Sequence, residues 1–311
     1  MKHVIVTGAT GMVGMALIKE CVIQGVRVTA LVRKGSVHEK RLPESPLITV
    51  VYAGLDELDT VILPPEEYDV FYHLAWSFTN KEDRNAPDKQ ARNIEYSINA
   101  VDLAHRCGCK KFIGAGSQAE YGAHTNDKTS PYDREQPTTA YGISKLAAGK
   151  LCAQAARARD MAFAWVRIFS LFGEYELDGT MIRTTLPKLI RGEECRFTSG
   201  KLRWDYLYSD DAGRAFFSLG EKPSGDKVYC LGSGEAKTIR EYIECMKAVT
   251  ESDSVLRFGI IEDGNTGNGM CADIDSLVRD TGWMPEISFE TGIRKMMRQY
   301  EKGIHINTDL Q

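Results

Sequence analysis

No segment of this 311-residue sequence stays apolar for the length that a bilayer requires, so no membrane-spanning helix is expected. Positive charge is not in excess either. Lys and Arg total 39 against 43 Asp and Glu, a formal net charge of -4. That balance argues against a broad nucleic-acid-binding face, while a local basic pocket stays compatible with it. The eight cysteines lack the order of a metal site or a disulfide framework. Only Cys107 and Cys109 are close, flanking Gly108, and no second Cys or His pair has ligand spacing. They are therefore expected to be reduced side chains of the core and helices, with no metal bound. No long apolar stretch follows Met1–Thr7, so no secretory signal is expected and a cytoplasmic location is. Repeats and low-complexity tracts are lacking too.

What is present is a chain with enough apolar residues to fold, 43% hydrophobic against 26% charged. Its first half alternates short β-rich runs with longer helical patterns. Strands are expected at His3–Thr7, Val26–Val32, Ile48–Tyr52, Val70–Leu74, Lys111–Gly114 and Phe163–Phe169. Helices are expected over about 12–24, 88–106 and 139–159. Such alternation predicts an α/β fold, a Rossmann-type doubly wound parallel sheet that binds ligands beyond the carboxyl ends of its strands. After Phe172-Gly173 the alternation breaks down into mixed patterns with turns at Gly200, Gly225, Gly232 and Gly264–Gly269. The expected division is a dinucleotide-binding domain over 1–169, to which part of 203–231 can return. A smaller α/β substrate domain is expected over most of 170–311.

Gly8-Ala9-Thr10-Gly11-Met12-Val13-Gly14 follows a strand and opens a helix, the context in which a glycine motif has a mechanism. Gly8, Gly11 and Gly14 permit a tight turn and a close helix, and the turn lets backbone approach a pyrophosphate at the helix N-terminus. The end of the second strand then bears on the cofactor. An NAD site usually has an acid there for the ribose 2′-hydroxyl. This strand runs out as Leu31-Val32-Arg33-Lys34, with two cations suited to a 2′-phosphate. NADP(H) is therefore the expected cofactor, with NAD(H) the alternative.

Tyr141 and Lys145 stand four apart at the start of a helix, and so on one face. A phenol titrating near 10 is a poor proton shuttle at neutral pH, and a neighbouring ammonium is expected to draw it down. Ser117, just past the strand Lys111–Gly114, lies at the ligand-bearing edge, where a hydroxyl can steady a carbonyl or alkoxide.

Together these pieces resemble the extended short-chain dehydrogenase/reductase family, in its nucleotide-sugar epimerase, dehydratase and reductase branch. The likeness runs along nearly the whole chain: TGATGMVG at 7–14, HLAW at 73–76, GSQAEYG at 116–122, YGISK at 141–145, RIFSLFG at 167–173, RWDYLYSDDAGRA at 203–215, YCLGSGE at 229–235 and GWMPEISFETGI at 282–293. The resemblance implies that Ser117, Tyr141 and Lys145 are the catalytic triad. It also implies that Gly8, Gly11, Met12, Val13, Leu74, Ala75, Ile168 and Phe169 meet the cofactor, joined by Thr10, Gly14, Arg33 and Lys34 from the residues themselves. Arg203 falls where such proteins often hold a nucleotide diphosphate. Trp76, Gln118 and Ser170 are expected among the substrate contacts, although Trp76 and Trp204 serve equally as packing aromatics.

Dehydratases of the family typically carry an Asp-Glu pair after the triad hydroxyl. Here Gln118 and Ala119 stand there, and Glu120 would point to the other side if the strand continued. The resemblance therefore implies an NADPH-dependent reductase of a nucleotide-linked 4-keto-6-deoxy sugar, with hydride to C4 and Tyr141 as proton donor. A sugar-nucleotide 4-epimerase, a reductase of a small ketone or aldehyde, and a catalytically silent NADP(H) sensor are the alternatives. It also implies a homodimer formed through the two long helices.

Overall fold

The computed structural model describes residues 1–123, 127–177, 179–222, 225–264 and 269–301. Strands and helices alternate first as β1 His3–Thr7, α1 Met12–Ile23, β2 Arg27–Val32, β3 Ile48–Tyr52, β4 Val70–His73, α2 Pro87–Arg106, β5 Lys111–Ser117, α3 Ala140–Arg157 and β6 Ala162–Ile168. The second half comprises β7 Ser170–Phe172, α4 Met181–Ile190, β8 Cys195–Arg196, β9 Arg203–Trp204, β10 Tyr206–Tyr208, α5 Ser209–Glu221 and β11 Lys227–Leu231. It continues through β12 Lys237–Thr238, α6 Ile239–Val249, β13 Leu256–Arg257, α7 Asp275–Thr281 and α8 Phe289–Glu301.

Seven parallel strands form the main sheet in the order β11-β6-β5-β4-β1-β2-β3. Strands buried on both faces read as unbroken apolar runs, as Val4-Ile5-Val6 and Val70-Phe71-Tyr72 do. One face is covered by α1 and α5, around Leu17, Ile18, Ala212 and Phe216. The other is covered by α2 and α3, around Val101, Leu103, Ala148 and Cys152. Beneath them Phe71, Phe112, Phe163 and Trp165 stack across β4, β5 and β6, with successive ring centroids 5.7, 6.1 and 6.3 Å apart. A third core joins Phe172 and Tyr208 to α4, α6 and α8 through Ile182, Leu186, Ile243, Met246 and Ile293.

Two local outcomes bear on the site. First, β5 runs three residues beyond Gly114, so Ser117 is its last residue and not a residue past it. Second, the strand stops there because residues 117–120 form a capping box. The Ser117 hydroxyl accepts from Ala119 N–H at 3.2 Å and the Glu120 carboxylate accepts from Ser117 N–H at 2.8 Å. Glu120 is accordingly fully buried, and because the strand does not continue, alternation does not govern where it points. The cysteines are all free, and burial pushes the thiols of Cys21, Cys107, Cys109 and Cys152 up. Among the described residues no His, Cys, Asp and Glu cluster could hold a metal, and no helix is long and apolar enough to cross a membrane.

Candidate active site

The strand order reverses between β1 and β4, and ligands of such sheets bind where it does. Gly8 leaves β1 there with φ +69, and a side chain on it would press within 2.7 Å of the Ala75 nitrogen. A Cβ on Gly14 would run into the Gly8 carbonyl oxygen, so the first and third glycines are demanded by the fold itself. Gly11 is different. Its φ of -81 suits any residue, and a Cβ there would meet only the Gly8 oxygen at 3.4 Å. The fold leaves room at Gly11, and an approaching ligand is what would use it. Gly11 also caps α1 with no side-chain bond, and the first turn carries no acid. The leading N–H groups of Met12, Val13 and Gly14 are thus available to an anion.

Opposite the turn, the chain leaving β4 is fixed by a buried relay. Thr7 Oγ1 accepts from the N–H groups of Leu74 and Ala75 at 3.2 and 3.3 Å, and meets His73 Nδ1 at 3.0 Å. His73 Nε2 meets Ser97 Oγ at 3.1 Å, and Ser97 donates to the Asn93 carbonyl at 2.7 Å. With Thr7 donating to Nδ1, His73 is neutral, and burial holds it down to about 3. The relay holds one wall of a cleft of about 520 Å³.

That cleft collects Gly8, Thr10, Gly11, Arg33, Leu74, Ala75 and Trp76. Lys34, Met12, Val13, Gly14, Ile168 and Phe169 do not line it. Phe169 is instead buried beside Tyr121, with ring centroids 6.4 Å apart. Ser36 and His38 do line it, next to Arg33, and sequence patterning does not mark either. The Arg41 guanidinium, also unmarked, donates to the Thr10 carbonyl at 3.1 Å and stacks on Tyr175 at 4.7 Å. It pins the glycine turn from outside. The nearest acid after β2, Glu39, accepts from the Tyr52 hydroxyl at 2.7 Å.

At the carboxyl end of β5 the Ser117 hydroxyl faces the Tyr141 phenol and favours its ionised form. The first turn of α3 brings Tyr141 there, capped by Thr139, whose hydroxyl accepts from Gly142 N–H at 3.1 Å. Asn85 Oδ1 accepts from Ala140 N–H at 2.8 Å, tying the same turn to the loop after β4. The ammonium of Lys145 does not face the phenol. It donates to the Ala115 carbonyl at 2.6 Å and lies 3.8 Å from the Trp76 ring, against 6.0 Å from that of Tyr141. The cation stacked on Tyr141, at 3.9 Å, is Arg84. Burial pushes the Tyr141 phenol up, with Arg84 and the Ser117 hydrogen bond pulling against it. The lowering expected from Lys145 is thus supplied by Arg84 and is outweighed by burial. Burial draws Lys145 itself down to about 7, the Glu120 carboxylate resisting and Arg84 adding to it. Trp76 stands between cleft and triad. It meets Tyr141 edge-on at 6.1 Å and is held by Gln90, which accepts from its Nε1 at 2.9 Å.

Arg203 belongs to a second cleft, of about 720 Å³, with Lys128, Lys237, Glu235 and Cys271. Its frame is Asp205, fully buried, which accepts from Ser233 N–H at 2.6 Å, Gly234 N–H at 3.2 Å and Ala272 N–H at 2.9 Å. Ser170 is paired into the short β7–β10 ladder, opposite Tyr206.

A switch-point cleft under a glycine turn, adjoining a Ser-Tyr-Lys cluster, is the arrangement of a nicotinamide-dependent oxidoreductase, and comparison with known proteins agrees. A sequence model described as the NAD dependent epimerase/dehydratase family matches residues 4–232. The chain belongs to that family. Its members are NAD(P)-dependent enzymes of the extended short-chain dehydrogenase/reductase type, and the open side of Gly11 with the uncapped start of α1 fits such a dinucleotide. The chain is 23% identical to the dTDP-4-dehydro-6-deoxyglucose reductase of Escherichia coli, over 95% of its own length and 96% of the relative's. Among solved structures it matches the UDP-glucose 4-epimerase of Thermotoga maritima in complex with UDP-glucose, with a TM-score of 0.85 at 20% identity. That match covers 97% of this chain and 100% of the other. It also matches RMD of Pseudomonas aeruginosa, complexed with NADPH, with a TM-score of 0.79 at 20% identity over 97% and 100% of the two chains.

Proposed function

We propose that this family member is an NADPH-dependent reductase of a nucleotide-linked 4-keto-6-deoxy sugar. The observation that carries the reading is the state of the one carboxylate beside the triad. Gln118 and Ala119 carry no titrating group, and Glu120 is locked inward by Arg167 at 2.7 Å, so no acid stands ready to remove water from the sugar. The bound nicotinamide supplies the hydride. Ser117 and Tyr141 hold the ketone oxygen, Tyr141 gives it the proton, and Lys145 steadies the nicotinamide ribose. Arg33, with Ser36 and His38 beside it, supports NADP(H) over NAD(H). Arg203, Lys128 and Lys237 give the second cleft three cations for a diphosphate, with Trp76, Gln118 and Ser170 as sugar contacts. Residues 1–169 with 203–231 then carry the cofactor, and most of the remainder covers the substrate. Exposed Ile143 and Leu151 on α3 support a homodimer through α2 and α3, and a cytoplasmic location belongs to the same reading.

The test is NADPH consumption with a panel of 4-keto-6-deoxy sugar nucleotides. Turnover is expected, with binding of NADPH tighter than NADH, and Tyr141→Phe is expected to lower kcat about a hundredfold to ten-thousandfold. No turnover across several bases, or tighter binding of NADH, would overturn the reading. The likeness to a 4-epimerase favours one second reading, in which the same triad works on a retained cofactor. Protein that purifies with bound NAD(H) and interconverts two sugars without added cofactor would establish it. Equal cofactor binding by both proteins, with no activity to lose in Tyr141→Phe, would leave a silent sensor.

A further inference from the structure

Glu120 is wholly buried, and both its oxygens are committed. Oε1 accepts from Ser117 N–H at 2.8 Å and from the Trp165 indole N–H at 3.0 Å, and Oε2 accepts from Arg167 Nε at 2.7 Å. Glycines at 114, 116 and 149 leave the room that the indole occupies. Arg167 is itself 2% exposed and gives Nη2 to Glu135 at 2.7 Å, and Glu135 takes Lys150 at 2.9 Å on the surface of α3. A continuous line of charge thus runs from the active-site strand end to solvent.

Closing the turn does not need that charge. A neutral Gln at the same place of a capping box would accept from the Ser117 N–H equally well. A buried ion pair is costly to desolvate and is a poor way to gain stability. The charge does act on its surroundings. Lys145 is faced by Glu120 from the turn, by Arg84 from the loop after β4, by Cys152 on its own helix and by neutral His73 at the end of β4. Tyr141 is faced by Arg84, Glu120 and the Ser117 hydroxyl. Among the described residues, Glu120 is the carboxylate that acts on both.

We propose that Glu120 is a positioning residue of the reaction. It fixes the end of β5 so that the Ser117 hydroxyl faces Tyr141, and its charge favours the cation of Lys145 and adds to the burial that keeps Tyr141 a protonated phenol. The inference rests on the reading of Ser117, Tyr141 and Lys145 as a hydride-transfer triad. Without the negative charge both groups lose their protons more readily, and reduction needs both protonated, so both effects move the alkaline limit of activity the same way.

The test is the Tyr141 titration, followed by magnetic resonance of isotope-labelled tyrosine in the whole protein and assigned with Tyr141→Phe, beside the pH profile of ketone reduction. In Glu120→Gln the phenol is expected to titrate about one pH unit lower, and the alkaline limb of kcat to fall with it, while NADPH binds as before. Because that variant leaves Arg167 facing Glu135 alone, Glu120→Gln/Arg167→Gln removes the opposing cation as well and is expected to show a smaller shift in the same direction. Glu135→Gln, farther along the line, is expected to leave titration and limb in place. Variants that lose thermal stability while titration and limb stay put would overturn the proposal. Should neither variant fold, the wild type decides: a Tyr141 that titrates at or below the ordinary phenol value of about 10 would overturn it. A shifted titration in a protein that reduces no ketone would instead overturn the triad's assigned reaction and keep the electrostatic effect of Glu120.

Discussion

At the scale of single residues, the three glycines of the turn look alike in the sequence and differ in the fold. Gly8 and Gly14 are held by backbone contacts, and Gly11 has only the Gly8 oxygen beside it, at ordinary contact distance. Gly14→Ala is therefore expected to lower thermal stability by about 1–3 kcal/mol, by forcing α1 off the turn. Gly11→Ala is expected to fold with unchanged stability and to weaken the cofactor at least tenfold, because the added methyl occupies its approach. Thermal unfolding and cofactor titration of the two variants separate these outcomes; equal behaviour would show that Gly11 is structural after all. Glu120 was legible in another way. Ser117-Gln118-Ala119-Glu120 has the spacing of a capping box, a signal that the turn ends a strand and sends the carboxylate inward. Strand alternation does not apply to the same four residues, because the strand ends at the first of them. Arg84 and Arg41 carried no signal, since each reaches its aromatic partner from a connection, Arg41 in the short 3-10 turn Glu39–Arg41, whose path local patterning does not determine.

At the scale of elements, the strands of the first half were legible because each is short, apolar and followed by a turn. The return of the chain was harder to read, because β11 joins β6 after an excursion of some sixty residues through β7, α4, β8, β9, β10 and α5, and long-range pairing leaves no local periodicity. The physical link is visible at Lys111, the first residue of β5. Its buried ammonium donates to the carbonyls of Leu219 at 2.8 Å and Gly220 at 3.0 Å, and to that of Lys222, at the open end of α5. One side chain thus caps a helix more than a hundred residues away and clamps it over the sheet. Lys111→Met keeps the aliphatic stem and removes the cap, so a loss of about 1–3 kcal/mol is expected in denaturant unfolding. An unchanged midpoint would mean that α5 is held by its packing on α1 alone.

At the scale of the whole molecule, residues 173–176 tie the chain after β7 to α1 and the glycine turn, and a buried carboxyl there joins His73 in the pH response. Lys19 on α1 pairs with Glu174 at 2.5 Å, and Arg41 stacks on Tyr175, whose φ is +63. Next to them Glu176 is buried, with Oε2 unpaired, and burial raises its carboxyl to about 7. A raised carboxyl gives stability that is present below its ordinary value of 4.5 and lost as pH climbs to about 7. His73, held down to about 3 from 6.5, acts with the opposite slope and adds stability as pH rises across that interval. The two slopes offset each other where they overlap, between about 4.5 and 6.5. Glu176→Gln removes the falling slope and leaves the rising one. The variant is expected to match the wild type near pH 4.5 and to exceed it by about 3 kcal/mol above pH 7, in denaturant unfolding followed across that range. A constant difference at every pH would place the effect in packing, and no difference would mean that the carboxylate reaches solvent in the native junction.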